Sequence, residues 1–255
     1  MQAARRLTRR RWRDREGAFL VEGTRAIEDA LRVPGTVREI FVATDDPTLD
    51  SLRAAAEAAG VPVLSVTTPV LDVLASTTTP QGAVAVAGTA HVGLSEIGRG
   101  SGLVVVLASV RDPGNAGTLV RSAAAAGADG LVFCRGSVDP WNAKVVRAAA
   151  GALWRIPLAR GASLEAALGA LRARGLTLVG TAASAPKSIY HADLSRPLAI
   201  VLGNEAWGLD EDGEGLLDET VAVPLAAGIE SLNVAVAGSV MLFEAARQRR
   251  QTSGP

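Results

Sequence analysis

Three widely separated segments gather polar and small residues where apolar runs end. They are DPGNAGTLVRSAAAAG, with Asn115, Gly117 and Arg121; IVLGNEAWGLD, with Gly203, Glu205 and Gly208; and VPLAAGIESLNVAVAGSVM, with Ser231 and Asn233. Carboxamide, carboxylate, guanidinium and hydroxyl groups at strand ends are the materials of a ligand site on an open α/β sheet. Asp112-Pro113-Gly114 bends the chain, and Asn115 is expected to cap a helix that stops at Gly127. Arg121 then lies ~9 Å along that helix, at ~1.5 Å per residue, within reach of the strand ends. Each segment alone also has a plain structural use. A capped helix with one surface arginine, a Glu205 that caps the next helix, a packed Trp207 and a Ser231 N-cap would account for them singly. Asn233 is harder to dismiss, because asparagine has modest helix propensity and offers both donor and acceptor groups.

Other chemistries lack their residues. Two histidines, His91 and His191, and one cysteine, Cys134, cannot furnish a Cys-rich zinc site or a dithiol pair, and no metal is expected. Neither G-x-x-x-x-G-K-[ST] nor G-x-G-x-x-G occurs. A single cysteine, no apolar run near the ~18 residues of a membrane span, and no signal-peptide core behind the basic start point to a cytoplasmic chain without membrane contact.

Net charge is zero over 255 residues but unevenly spread. The first fifteen residues hold seven arginines, Arg5, Arg6, Arg9, Arg10, Arg11, Arg13 and Arg15, against Asp14. Arg247, Arg249 and Arg250 form a second cluster. Such clusters suit phosphates or form a solvated, partly disordered arm. Lys144 and Arg147, three apart, form either a phosphate-binding helix face or a solvated one.

The elements that must position these groups alternate along the chain. Residues 18–88 pass from AFLVEG through TRAIEDALRV, VREIFVAT, PTLDSLRAAAEAAG, VPVLSV and PVLDVLAS to GAVAVAG, a small α/β domain over residues 1–88. Residues 89–102 are rich in Gly and Ser and are expected to be a linker. From 103 to 250 the alternation restarts. Strands are expected at LVVVLAS, GLVFC, RIPLA, LTLVGT, LAIVLG and ETVAVPL, and helices after Asn115 and around 140–150, 163–174 and 231–248. Aromatics are 4% of residues and apolar types 48%, so the core must be built from Ala, Val and Leu.

Taken in order, the three segments resemble the motifs of the SpoU (TrmH-type) branch of the SPOUT RNA methyltransferases. FLVEGTRAIEDAL, VREIFVA and LASTTTPQGAVAVA are similar to the RNA-binding domain that precedes the catalytic domain in many members, with Glu22 and Gly23 on its pattern. The resemblance implies an S-adenosylmethionine-dependent methyltransferase acting on a ribose 2′-hydroxyl, of ribosomal RNA by preference or of tRNA. A noncatalytic RNA-binding or ribosome-assembly protein on the same fold is the alternative class. It also implies a mainly parallel α/β domain with a deep trefoil knot, and a homodimer that completes each site with the first motif of its partner. Arg121 is then the catalytic arginine, with Asn115, Glu205, Ser231 and Asn233 around it. Thr181, Leu202, Gly203, Glu205, Val223, Pro224, Leu225, Ser231, Leu232 and Asn233 would hold the methyl donor. Arg5, Arg6, Arg9, Arg10, Arg11, Glu22, Lys144 and Arg147 would meet RNA.

Overall fold

The computed structural model describes residues 2–44, 46–77, 80–100 and 102–252, in two compact units. Thr78 and Thr79 of LASTTTPQG, and Ser101 of the expected linker, lie outside the described residues.

The first unit takes residues 1–90 together with Asp139–Trp154. It begins with α1 (Gln2–Arg6) and α2 (Arg10–Glu16), followed by β1 (Ala18–Glu22), α3 (Thr24–Leu31), β2 (Val37–Ala43), α4 (Asp50–Ala58), β3 (Val63–Val66), α5 (Thr68–Leu74) and β4 (Ala83–Gly88). The sheet order is β1-β4-β2-β3; β4 runs antiparallel to both neighbours, and β2 pairs parallel with β3. Phe41, Val84 and Val86 pack with Leu71 and Leu74 on one side, where Ala4 and Leu7 join them. On β1, Phe19 meets Trp141 and Trp154, with ring centroids 4.8 and 5.7 Å away. The basic start is therefore folded helix, not a disordered arm, because Ala4 and Leu7 supply it with an apolar anchor. Arg13, 6% exposed, donates to Asp139 Oδ2 at 2.7 and 2.9 Å and to the Leu7 and Thr8 carbonyls.

The second unit spans 91–138 and 155–255. Here β5 (Leu103–Leu107), α6 (Pro113–Ala126) and β6 (Gly130–Phe133) come first; α7 (Ala143–Ala149) belongs to the first unit. Then follow β7 (Leu158–Arg160), α8 (Leu164–Arg172), β8 (Thr177–Thr181), β9 (Leu198–Leu202), α9 (Glu211–Glu214), β10 (Glu219–Val221) and α10 (Val234–Thr252). Every strand pairing in the order β10-β8-β9-β5-β6-β7 is parallel. A parallel sheet covered on both faces needs continuous apolar strands, and LVVVL and LAIVL meet that need with every residue buried. Val104, Val106, Ala199 and Val201 pack with Leu168 and Leu171 of α8. On the opposite face Leu202 meets α10 at Gly238, where an added Cβ would lie 2.6 Å from side-chain carbons of Leu119 and Leu202.

Two expectations shift. Within the expected linker, Ile97 is fully buried in the second unit's core, and Arg174 donates to the Ile97 and Gly98 carbonyls. ETVAVPL forms a strand only over Glu219–Val221; Ala222 adds a single bridge to Ser188, and residues 223–233 run as an irregular segment into α10.

Candidate active site

The strand order reverses direction around β5 and β9, so the chain leaves their C-terminal ends toward opposite sides and opens a crevice there. Three loops converge on it. After β5, Ser109 adopts a left-handed φ of 63°, a conformation that costs a non-glycine residue ~1–3 kcal/mol. It is held there by Asn204, 6% exposed, whose Nδ2 donates to the Ser109 carbonyl at 2.9 Å.

After β9, Asn204 and Gly208 exchange two backbone hydrogen bonds of 2.7 and 2.9 Å, closing a tight loop that carries Glu205, Ala206 and Trp207. A side chain at Gly203 would drive into the backbone of Gly208 and Leu209, so only glycine fits that strand end. The loop aims Glu205 at the turn after β5. Glu205 accepts from the amides of Asp112 (2.8 Å) and Arg111 (3.2 Å) and from Asn115 Nδ2 (3.3 Å). Partial burial pushes its carboxyl up; those donors outweigh it and hold the group below the ordinary glutamate range.

Asn115 Oδ1 in turn accepts from Asn233 Nδ2 at 2.9 Å, while Asn233 Oδ1 accepts from the amides of Ala235 and Val236. The three motifs thus meet in one hydrogen-bonded chain, Glu205–Asn115–Asn233. Two caps differ from expectation. Asp112, not Asn115, caps α6 by accepting from the Asn115 amide, since Pro113 already starts the helix. Asn233, not Ser231, caps α10, which frees Ser231 to line the neighbouring cavity.

That cavity, about 340 Å³, lies beside Glu205. Thr181, Gly203, Glu205, Val223, Leu225, Ser231 and Leu232 line it, as the motifs suggest. Leu202 is fully buried in β9, and Pro224 and Asn233 face elsewhere. Ser184 and Glu214 also line it and were not singled out by sequence; Trp207, expected only to pack, is exposed and lines it as well, and the paired glycines around it were the available signal. Its volume falls in the range of small-molecule sites. Backbone-rich walls, with Thr181 and Ser231 hydroxyls and two carboxylates, fit S-adenosylmethionine, a cationic ligand with a polar nucleoside end.

Arg121 is not among these groups. It is exposed on α6, six residues from Asn115, which turns it about 120° around the helix at ~3.6 residues per turn, and it has no ion pair among the described residues.

In the first unit, Glu22 is almost enclosed. It accepts from the Ser76 amide and hydroxyl, from Thr77 and from Arg147 at 3.3 Å. Arg147 also donates to Ser76, so both charges serve the fold of that unit, while Lys144 is exposed. Arg5, Arg6, Arg9, Arg10 and Arg11 are exposed around Trp12, whose ring carries the Arg6 and Arg11 guanidinium carbons at 4.7 and 5.6 Å.

Comparison with known proteins agrees with this architecture. The model of the SpoU rRNA Methylase family matches residues 102–243, and that of the MRM3-like substrate binding domain matches residues 1–85. The 23S rRNA (guanosine-2′-O-)-methyltransferase RlmB of Xanthomonas axonopodis is 37% identical over 84% of this chain and 89% of its own. The 23S rRNA (guanosine(2553)-2′-O)-methyltransferase RlmP of Bacillus subtilis is 32% identical over 91% of this chain and 89% of its own. Among solved structures, the SpoU methyltransferase AviRb of Streptomyces viridochromogenes, in complex with AdoMet, superposes with a TM-score of 0.87 at 30% identity, covering 99% of this chain and 98% of its own. The chain belongs to the SpoU rRNA methylase family.

Proposed function

We propose that this protein methylates the ribose 2′-hydroxyl of a guanosine in 23S ribosomal RNA, as a cytoplasmic homodimer in which Arg121 of one subunit serves the donor pocket of the other. Family membership makes it an S-adenosylmethionine-dependent RNA 2′-O-ribose methyltransferase. The observation that carries the finer reading is the union of Glu205, Asn115 and Asn233 beside a donor-sized cavity, from which the same chain's Arg121 is turned away.

S-adenosylmethionine held in the cavity would supply a sulfonium methyl group to the ribose 2′-oxygen, leaving S-adenosylhomocysteine, with the hydroxyl proton passing to water. Glu205 and Asn115 fix the turn that ends β5, and Asn233 ties that turn to α10. Arginine resists deprotonation, with a pKa above ~12, so Arg121 orients the ribose and stabilises developing oxyanion charge in preference to acting as base. The family's trefoil knot belongs to the same reading, with residues 222–233 taking part.

Two features support the dimer and the RNA contact. Val236 and Phe243, 49% and 50% exposed, stand seven apart on one face of α10 and suit an apolar interface with a second copy. Arg5, Arg6, Arg9, Arg10, Arg11 and Lys144 present cations for phosphates.

The test uses ribosomal RNA and tRNA from cells lacking the gene, incubated with methyl-labelled donor, digested and resolved by mass spectrometry. Label in 2′-O-methylguanosine of 23S RNA is the expected result. Label confined to tRNA, or on a base, would overturn the substrate assignment.

A further inference from the structure

The loop that aims Glu205 inward aims a large aromatic outward. Trp207 is 59% exposed, although its loop is closed by two backbone hydrogen bonds and braced by the nearly buried Asn204. An indole left in water by a rigid loop gives up burial that a small side chain would not need. One face of the ring is occupied. The Arg111 guanidinium carbon lies 5.2 Å from the ring centroid, and the Arg111 amide is itself bound by Glu205. Trp207 also lines the rim of the candidate donor cavity, two residues from Glu205.

We infer that Trp207, backed by Arg111, is a stacking platform for an unpaired nucleobase of the substrate RNA at the methylation site. Sequence-specific RNA recognition depends on splayed bases stacked on aromatic rings or guanidinium planes. Every base offers a π-face, so the platform grips and positions RNA, while phosphate contacts from the exposed Arg111 add salt-dependent affinity. The inference rests on the reading of the cavity as the methyl-donor site.

Trp207→Ala, Trp207→Phe and Arg111→Gln are compared with the wild type by RNA methylation kinetics, calorimetric titration of S-adenosylhomocysteine, and tryptophan fluorescence on adding a short single-stranded oligoribonucleotide. In Trp207→Ala, KM for RNA should rise about tenfold, the effect of one lost base stack, while S-adenosylhomocysteine affinity should fall by clearly less than KM rises. Phe should restore most of the KM, and the RNA-induced quenching should be smaller in Trp207→Phe than in the wild type, the remainder coming from Trp12 in the basic arm. Arg111→Gln should raise KM less and flatten its salt dependence. Unchanged KM in Trp207→Ala, or a tenfold loss of S-adenosylhomocysteine affinity with unchanged KM, would overturn the inference. Wild-type methylation of ribosomal RNA with an indifferent Trp207 sinks the platform alone. Trp207-dependent quenching without methylation of any RNA sinks the parent reading, and with it the placement of the platform at a methylation site.

Discussion

A single glycine shows how sparingly the site is built. Gly203 has no room for a methyl group, because the loop after β9 folds back directly over it. Gly203→Ala must therefore push the Asn204–Gly208 loop off the cavity, at an overpacking cost of about 1–3 kcal/mol. The variant should remain folded by circular dichroism but bind S-adenosylhomocysteine at least ~10-fold more weakly in calorimetry. Wild-type affinity would mean that the loop tolerates the shift and does not shape the pocket. Part of the lining was legible at this scale, since Gly203, Glu205 and Ser231 announce themselves as small and polar residues at strand and helix boundaries. The role of Trp207 was not. Its exposure is decided by loop closure between Asn204 and Gly208, which no periodicity records. The single thiol offers no second chemistry, because burial, with Glu165 adding to it, pushes Cys134 up to about 12.

At the scale of elements, strands and helices were legible wherever apolar runs had no competing use, as with LVVVL and LAIVL. Boundaries failed where two polar residues could both cap: Asp112 won over Asn115 because Pro113 fixes the first helical φ, and Asn233 won over Ser231. The displacement at α6 leaves the Asn115 side chain to bond Glu205 and Asn233. The end of β1 is pinned differently, through Glu22. Burial pushes its carboxyl up, but bonds from Thr77 and Ser76 and the Arg147 charge outweigh that and hold it below the usual range. A folded value below the unfolded ~4.3 means that this stability is present above that pH and lost as pH falls through the folded value. Glu22→Gln should cost about 2 kcal/mol at neutral pH, the worth of a hydrogen-bonded charge. In thermal unfolding the gap between wild type and variant should close below about pH 4. A gap that persists at acid pH would show that shape, not charge, holds the network.

For the molecule as a whole, packing and sequence order divide the chain differently, since the family model spans residues 102–243 without a break. Asp139–Trp154 sits within the catalytic half of the chain but folds with the first unit, where Trp141 and Trp154 cover Phe19 and Asp139 pairs with the buried Arg13. Long-range pairing of this kind leaves no local signature. It also means that deleting the first eleven residues would remove the core residues Ala4 and Leu7, so the contribution of the basic arm to RNA binding is better probed by neutralising its exposed arginines.

The central claim is a site shared between two copies, because the single chain unites Glu205, Asn115 and Asn233 at the pocket and leaves Arg121 outside. The direct test is complementation between Arg121→Ala, with an intact pocket, and Gly203→Ala, with an intact arginine. At a donor concentration that saturates the wild type but lies well below the weakened affinity of Gly203→Ala, each homodimer alone should methylate ribosomal RNA only feebly. Random co-assembly should yield one complete site in each mixed dimer and so recover about a quarter of wild-type activity. No recovery from mixed dimers, or full activity of Arg121→Ala alone, would contradict the account.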